Sequence, residues 1–305
     1  MNHPHVHTPG RSPRRILLIA NPVSGGDARP RIARAAAWLR AQGVAVDVQL
    51  TEKSGDARRF AATARDQGYD RIVAAGGDGT LNEVLNGVRP SVVPVAFLPL
   101  GTTNVFALEA GIPRGLEAAC RVALEGTPRP VSLGIADGGR FLLMATAGFD
   151  AAVVHRVDLA LKRRTGKLAY AVSALLTLFS YPFPAFEVVG DDGTMRRACQ
   201  VVAGNGRYYG GRFSLTPAAS LLAERLDVCL LAPMGKARFV VTTVLLLAGA
   251  TPRGVERFAT TRLALRGADV PLQLDGDDRG TLPRQLAVSW GEIRLVFPNQ
   301  NGRVR

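Results

Sequence analysis

Four small residues, Gly76-Gly77-Asp78-Gly79, separate an apolar run from a helix-patterned one, and few sequence features restrict a fold as tightly. The run Ile72 to Ala75 reads as a buried strand, and the glycines after it favour a tight turn. The spacing predicts a helix beyond the turn, with Thr80 as N-cap, Glu83 as its capping-box partner, and Leu81, Val84, Leu85 and Val88 on one face. Strand, glycine turn and helix make a phosphate cradle, because glycines let backbone N–H groups close on an anion and the helix N-terminus adds partial positive charge. The same pattern also serves as an ordinary βα turn. Asp78 argues for the cradle: a carboxylate there is repelled by phosphate, and a bridging Mg²⁺ or a hydrogen-bonded ribose would compensate it.

The flanking chain repeats the unit. Ile16 to Ile19 reads as a strand ending in Asn21-Pro22-Val23-Ser24-Gly25-Gly26, followed by a helix from Arg31 to Gln42 with Ile32, Ala35, Ala36 and Leu39 on one face. Val44 to Leu50 is a strand, Thr51 to Asp56 a polar connection, and Ala57 to Gln67 a helix. Alternating strands and helices predict a parallel sheet covered by helices, with ligands at the carboxyl ends of its strands. Both glycine turns and Thr51 fall at those ends. A further strand, Val93 to Leu98, ends in Pro99-Leu100-Gly101-Thr102-Thr103-Asn104, where Thr102, Thr103 and Asn104 offer caps for a helix from Val105 to Ala110. A helix from Leu116 to Leu124 leads to Gly126-Thr127-Pro128-Arg129-Pro130, read as a linker. Beyond it, short apolar segments between glycine-rich turns suggest an antiparallel sandwich, interrupted by apolar helices near Leu168 and Val240 and closed by a strand from Ile293 to Phe297.

The net charge of +13 is the one unusual compositional value in a chain of 305 residues that is 47% hydrophobic. It fits either a compositional bias toward Arg or an anionic partner such as a membrane surface. Nucleic acid is the weaker partner, since aromatics are only 6% and no zinc, helix-turn-helix or RNP-like pattern occurs. Cys120, Cys199 and Cys229 are isolated in apolar context, as buried thiols of a reducing compartment would be. Residues 1–10 have no apolar h-region, so no secretory signal is expected, and residues 1–12, with His3, His5 and His7, read as a disordered terminus. The apolar stretches Leu168 to Tyr181 and Phe239 to Ala250 fall short of the ~20 residues a membrane-spanning helix needs. The expectation is a cytoplasmic protein with peripheral contact at the inner face of the membrane.

Seven segments, in order and spread over nearly the whole chain, resemble the diacylglycerol-kinase-like catalytic domain, the superfamily of bacterial lipid kinases, diacylglycerol kinases and sphingosine and ceramide kinases. They are N-P-V-S-G-G from Asn21, G-G-D-G-T-L-N-E-V from Gly76, P-L-G-T-T-N-V-F-A from Pro99, G-F-D-A from Gly148, N-G-R-Y-Y-G-G from Asn205, L-D-V from Leu226 and L-D-G-D from Leu274. The resemblance implies ATP-dependent phosphoryl transfer to a lipid hydroxyl, with Mg²⁺, in a cleft between an α/β nucleotide-binding domain (13–130) and a β-rich lipid-substrate domain (131–290). It also implies a final strand near 291–299 that returns to the first domain. Carried over, Asn21, Thr51, Gly76, Gly77, Asp78, Gly79, Thr80, Leu81, Asn82 and Thr102 line the nucleotide site, and Asp275 is the general base. Asp277 stands where the family has Glu.

An alcohol attacking a γ-phosphate needs a positioned proton acceptor, which suits Asp275; Asp-Gly is equally a hairpin signal. No G-x-x-x-x-G-K-[ST] loop and no G-x-S-x-G elbow is present. His155 reads as a solvated helical residue. NAD kinases share the G-G-D-G loop and are the closest enzymatic alternative; a lipid-binding protein that has lost transfer is another. Two regional expectations complete the reading. Lys162-Arg163-Arg164 and Lys167 ahead of the apolar run, with Phe179, Tyr181 and Phe183 near its end, suit an anionic bilayer. The loop from Pro217 to Arg225 lacks the acid and glycine with which relatives hold a structural Mg²⁺, so loss of that site is expected, with Arg225 pairing Glu224 or Asp227.

Overall fold

The computed structural model describes residues 13–90, 93–156 and 167–299, with the backbone alone for 167–172. The expectations for residues 1–12, Lys162-Arg163-Arg164 and the Lys167 side chain lie outside what is described. The described chain divides into two units, one running to Val131 and resuming at Gly291, the other covering Ser132–Trp290.

Aliphatic runs build the first unit. Strands β1 (Arg15–Ala20), β2 (Ala45–Leu50), β3 (Arg71–Gly76) and β4 (Val95–Pro99) lie parallel in the order β2-β1-β3-β4. Every residue of β3 is buried, as expected for a parallel strand covered on both faces. Helices α1 (Arg29–Ala41), α2 (Asp56–Thr63), α3 (Asp78–Gly87), α4 (Val105–Ala110) and α5 (Leu116–Glu125) supply the cover, α1 through Ile32, Ala35, Ala36 and Leu39. Buried Arg71 holds the end of α5: its Nη1 donates to the carbonyls of Ala123 (2.6 Å) and Leu124 (2.8 Å), which have no partner within the helix. Burial pushes the Arg71 pKa down to about 10, so the guanidinium stays charged. Strand β5 (Thr127–Ala136) includes the stretch read as a linker; Pro128 and Pro130 sit in its first residues, where a missing N–H is tolerated.

The second unit is antiparallel. Its strands are β6 (Gly139–Phe141), β7 (Met144–Gly148), β8 (Phe186–Val189), β9 (Met195–Ala198), β10 (Gln200–Gly204), β11 (Leu226–Leu231), β12 (Val255–Thr260), β13 (Arg262–Arg266), β14 (Pro271–Leu274), β15 (Asp277–Thr281) and the start of β16 (Arg284–Phe297). One sheet has the order β12-β11-β10-β7-β14-β15, and β16, β13, β8 and β9 are neighbours in another. The end of β16 lies in the first unit, where Leu295 pairs in parallel with Val95. Strand alternation sorts the side chains. Val201, Ala203, Leu226, Val228 and Leu230 pack with Phe186, Val188, Leu263 and Leu265 of the other sheet in a sandwich core. The alternate residues Val202, Cys229 and Leu231 face a second cluster, formed with α6 (Phe149–Arg156), α7 (Lys167–Ser180) and α8 (Lys236–Leu247) through Ala152, Leu178, Phe239 and Leu246. The α/β unit and the β-rich sandwich expected from the sequence are both present, and Cys120, Cys199 and Cys229 are buried free thiols.

Candidate functional site

In the first unit, three turns meet where the parallel strands end. Asn21, at the end of β1, donates its N–H to the Ala75 carbonyl (2.9 Å), and its Oδ1 accepts from the Val23 N–H (3.1 Å), which fixes the first turn. The Gly76 carbonyl, at the end of β3, accepts from both the Leu100 N–H (2.8 Å) and the Gly101 N–H (3.0 Å) of the third turn. Arg31 spans first and third turns, its Nη2 donating to the carbonyls of Ser24 (2.9 Å) and Leu100 (3.1 Å). Asn104 closes the third turn on itself, donating to the Gly101 carbonyl (2.8 Å) and accepting from its N–H (3.1 Å), and does so at a φ of +51°. A Cβ on Gly101 would lie 2.7 Å from the Gly77 Cα, so the two glycine loops touch backbone to backbone.

Asp78 finds partners within the chain: its carboxylate accepts two amides at the start of α4, Val105 N–H on Oδ2 and Phe106 N–H on Oδ1, both at 2.9 Å. Burial raises its pKa and the two amide bonds oppose that rise. Asp78 thus caps α4 from another element, a role Thr102, Thr103 and Asn104 were expected to fill; none of them makes a side-chain cap bond there. The capping box at Thr80 is likewise not formed. Helix α3 begins at Asp78 with Gly77 as its N-cap, and Glu83 accepts from the Ser54 hydroxyl (3.3 Å) and Gly55 N–H (3.0 Å). Helix α3 therefore starts directly at the glycines, its first-turn N–H groups without partners inside the helix.

The remaining expected nucleotide-site residues divide. A Cβ on Gly79 would meet nothing within 4 Å, which leaves its backbone open to an anion, whereas Gly76 is packed under the Thr80 side chain. Thr102 is exposed at a hollow of about 260 Å³ lined also by Pro99, Thr103, Leu108 and Arg114. Thr51 is half-buried just past β2, its N–H on the Ala20 carbonyl (2.9 Å). Leu81 is a fully buried core residue. Asn82 is buried too, its Oδ1 accepting from Asn86 Nδ2 (2.7 Å).

Asp275, in the second unit, is both the hairpin residue and a held acid. Leu274 pairs with Asp277, which leaves Asp275 and Gly276 as the two-residue turn between β14 and β15, with φ of +48° and +87°, as the primed hairpin turns require. Its carboxylate accepts three successive amides, Leu142 (2.6 Å), Leu143 (2.8 Å) and Met144 (3.0 Å), and so cannot swing. Those amides are fixed in turn by buried Asn205, whose Nδ2 donates to the carbonyls of Ser132 (2.8 Å) and Leu142 (2.7 Å) while its N–H donates to the Leu143 carbonyl (2.8 Å). Asp277 is exposed and lies 3.9 Å from Arg279. His155 is also exposed, and its Nδ1 is 2.7 Å from Asp278 Oδ2.

A polar cluster beside the turn carried no role in the sequence reading. Asp150 accepts from the Thr146 hydroxyl (2.5 Å), from Gln273 Nε2 (3.1 Å) and from the Tyr209 phenol, whose pKa burial drives well up. Gln273 Oε1 then accepts the Gly276 N–H (2.6 Å), tying the cluster to the turn of Asp275. The available signal was that Asp150 and Tyr209 fall inside G-F-D-A and N-G-R-Y-Y-G-G; the cross-strand pairing of Thr146 with Gln273 is visible only in the fold. In the loop from Pro217, Asp227 is buried and accepts the Ala218 N–H (2.9 Å). Burial raises its pKa, while the nearby charges of Arg257 and Arg225 lower it.

Comparisons with known proteins agree with this architecture. Residues 15–136 match the diacylglycerol kinase catalytic domain, and residues 144–297 match the YegS C-terminal NAD kinase beta sandwich-like domain. The chain is 36% identical over 302 residues to the "Probable lipid kinase YegS-like" of Pseudomonas aeruginosa, covering 93% of this chain and 94% of that one. It is 35% identical over 209 residues to the "Probable lipid kinase YegS" of Salmonella arizonae, covering 67% of this chain and 69% of the relative. Among solved structures, a diacylglycerol kinase from Bacillus anthracis superposes with a TM-score of 0.72 at 21% identity, over 96% of this chain and 99% of that one. An NAD kinase from Archaeoglobus fulgidus in complex with ATP shares the fold at a TM-score of 0.52 and 15% identity, over 95% of each chain. The chain belongs to the YegS-type lipid kinases of the diacylglycerol-kinase-like superfamily.

Proposed function

We propose that the protein transfers the γ-phosphate of ATP to the hydroxyl of a membrane lipid of diacylglycerol, phosphatidylglycerol or sphingoid type. The observation that carries this reading is the meeting of the turns at Asn21, Gly76 and Gly101 at one sheet edge, with a helix starting at the glycines, in a chain whose relatives are named lipid kinases. The nucleotide phosphates are assigned to the backbone of Gly77 and Gly79 and the first turn of α3, where N–H groups and the helix dipole favour an anion. Mg²⁺, accompanying ATP, would neutralise charge on the transferring group. Asp78 has one amide of α4 on each oxygen, which fixes the carboxylate and leaves each oxygen acceptor capacity for the ion or for a water bound to it.

Asp275 is assigned as acceptor of the lipid hydroxyl proton. A carboxylate oxygen bonded to one or two amides keeps further acceptor capacity, and three amides aim the group without exposing it to rotation. Gln273 and Asp150 are assigned as positioning residues, acting through the Gly276 N–H. Incubation with total lipid extract and γ-labelled ATP tests the reading: label in a phospholipid product is expected. Label in NADP, or label nowhere, would overturn it.

A further inference from the structure

Helix α6 is fastened at both ends to the hairpin that carries Asp275. Its first turn holds Asp150, bonded to Gln273 on β14, and its last turn holds His155, whose Nδ1 lies 2.7 Å from Oδ2 of Asp278 on β15. Gln273 and Asp278 are partners across the hairpin, and cross-strand partners present their side chains to one face. One helix therefore grips both strands directly behind the turn of Asp275 and Gly276. The helix is itself firmly anchored. Phe149, beside Asp150, packs on Tyr181, Phe183 and Phe239 with ring centroids 5.3–6.2 Å apart, and the Ser173 hydroxyl of α7 donates to the Val153 carbonyl (3.1 Å). Tyr181 and Phe183, expected from the sequence to face a bilayer, are buried in that cluster.

Strand β15 has little else to hold it. All five of its residues are exposed, and it is an edge strand of its sheet, paired with β14. The Asp278 carboxylate is set in place by a second bond, its Oδ1 accepting the Gly280 N–H (3.0 Å). Desolvation of that carboxyl is outweighed by the Gly280 amide and by His155, which hold its pKa below the ordinary value and keep it an ionised acceptor. An ionised carboxylate only accepts, so the bonded Nδ1 is a protonated ring nitrogen. We infer that His155 is a positioning residue for the transfer reaction, acting through Asp278 to hold the turn between β14 and β15 in the register that presents Asp275. The amides of Leu142, Leu143 and Met144 fix the Asp275 carboxylate itself. His155 fixes the strand that leaves the turn, so the left-handed pair at φ of +48° and +87° is closed from both sides. The side chains of His155 and Asp278 are 62% and 39% exposed, and a pair this exposed adds little to global stability. Its effect therefore belongs in turnover and not in melting.

The inference rests on the reading of Asp275 as proton acceptor in a lipid kinase, and its test separates the two. Wild type, His155→Ala, His155→Asn and His155→Gln are compared for kcat and for KM of ATP, with γ-labelled ATP and total lipid extract in detergent micelles. Hydrogen exchange at the Gly276 and Gly280 amides is measured on the same full-length proteins without ATP. His155→Ala should lower kcat ~5-fold, leave KM for ATP within about two-fold, keep Tm within about 3 °C and speed exchange at both amides. Asn carries its Nδ2 the same number of bonds from Cβ as the His Nδ1, so His155→Asn should restore kcat; Gln carries its amide one methylene further and should not. In an Asp278→Ala background the His155→Ala change should cost nothing further, because both remove one contact. Transfer by wild type with kcat unchanged in His155→Ala would defeat the positioning role alone, as would equal rescue by Asn and Gln or additive losses in the double variant. No label in lipid from wild type would defeat the kinase reading, and faster exchange in His155→Ala would then leave the tether standing. Unchanged exchange in His155→Ala would overturn the tether itself.

Discussion

Gly77 and Gly101 lie backbone against backbone, yet the two glycines are not equivalent. A Cβ on Gly101 would strike the Gly77 backbone at 2.7 Å, whereas a Cβ on Gly77 would find its nearest atom, the Gly101 Cα, at an ordinary 3.7 Å. Gly77 also has an extended backbone with φ of −94°, which any residue adopts. Its glycine is therefore not required by the fold, and the phosphate contact proposed for this loop gives it a role. Gly77→Val is expected to keep Tm within a few degrees while lowering ATP affinity ~10-fold or more, measured by calorimetric titration; Gly101→Ala should lower Tm. Unchanged ATP affinity in Gly77→Val would remove this loop from the nucleotide site. At this scale the sequence was readable for residue type and less so for partner. Asp-Gly at 275–276 announced a hairpin and an acid at once, and both are present. What Asp78 bonds to could not be read, because its partners, Val105 and Phe106, come from a helix two elements away.

The elements that escaped sequence reading are those whose pairing is held by neighbours and not by their own pattern. Strand β15, Asp-Asp-Arg-Gly-Thr, is exposed throughout and is a strand because the turn at Asp275 folds it back on β14. Strand β9, Met-Arg-Arg-Ala, lacks apolar alternation and pairs with β8. The turn between them is fastened by Asp191, which accepts the Thr261 N–H (2.5 Å), the Thr261 hydroxyl (2.7 Å) and the Thr260 hydroxyl (3.0 Å) where β12 passes into β13. These bonds, the Thr261 N–H first, hold the Asp191 carboxyl well below its ordinary range despite some desolvation. A depressed folded pKa gives stability that is full above the unfolded value of ~3.9 and is lost as pH falls through the folded one. Wild type should therefore melt above Asp191→Asn at neutral pH, and the gap should narrow on acidification below about pH 4. A gap that is constant from neutral to acid pH would show that the ionised form of Asp191 is not what fastens the turn.

Across the whole chain, the order of the motifs revealed the two-part architecture because six of the seven begin where a strand ends, and strand ends are where such folds keep their ligands; L-D-V instead opens β11. The apolar helices were readable as too short to span a bilayer. Which of their side chains are core and which are exposed was not, since Tyr181 and Phe179 are alike in sequence and opposite in burial. The lipid acceptor has no sequence signature, because diacylglycerol, phosphatidylglycerol and sphingoid bases all offer a hydroxyl beside apolar chains. In the proposed reaction ATP is held by the glycine turns of the first unit and the hydroxyl proton is taken by Asp275 of the second. The most direct measurement is to compare Asp275→Asn with wild type for both ATP affinity and transfer of label to lipid. The substitution keeps the size of the side chain and its tolerance of the left-handed turn, and removes the acid. The expected result is ATP affinity within about two-fold of wild type and transfer lowered ~100-fold or more. Transfer at the wild-type rate would contradict the claim.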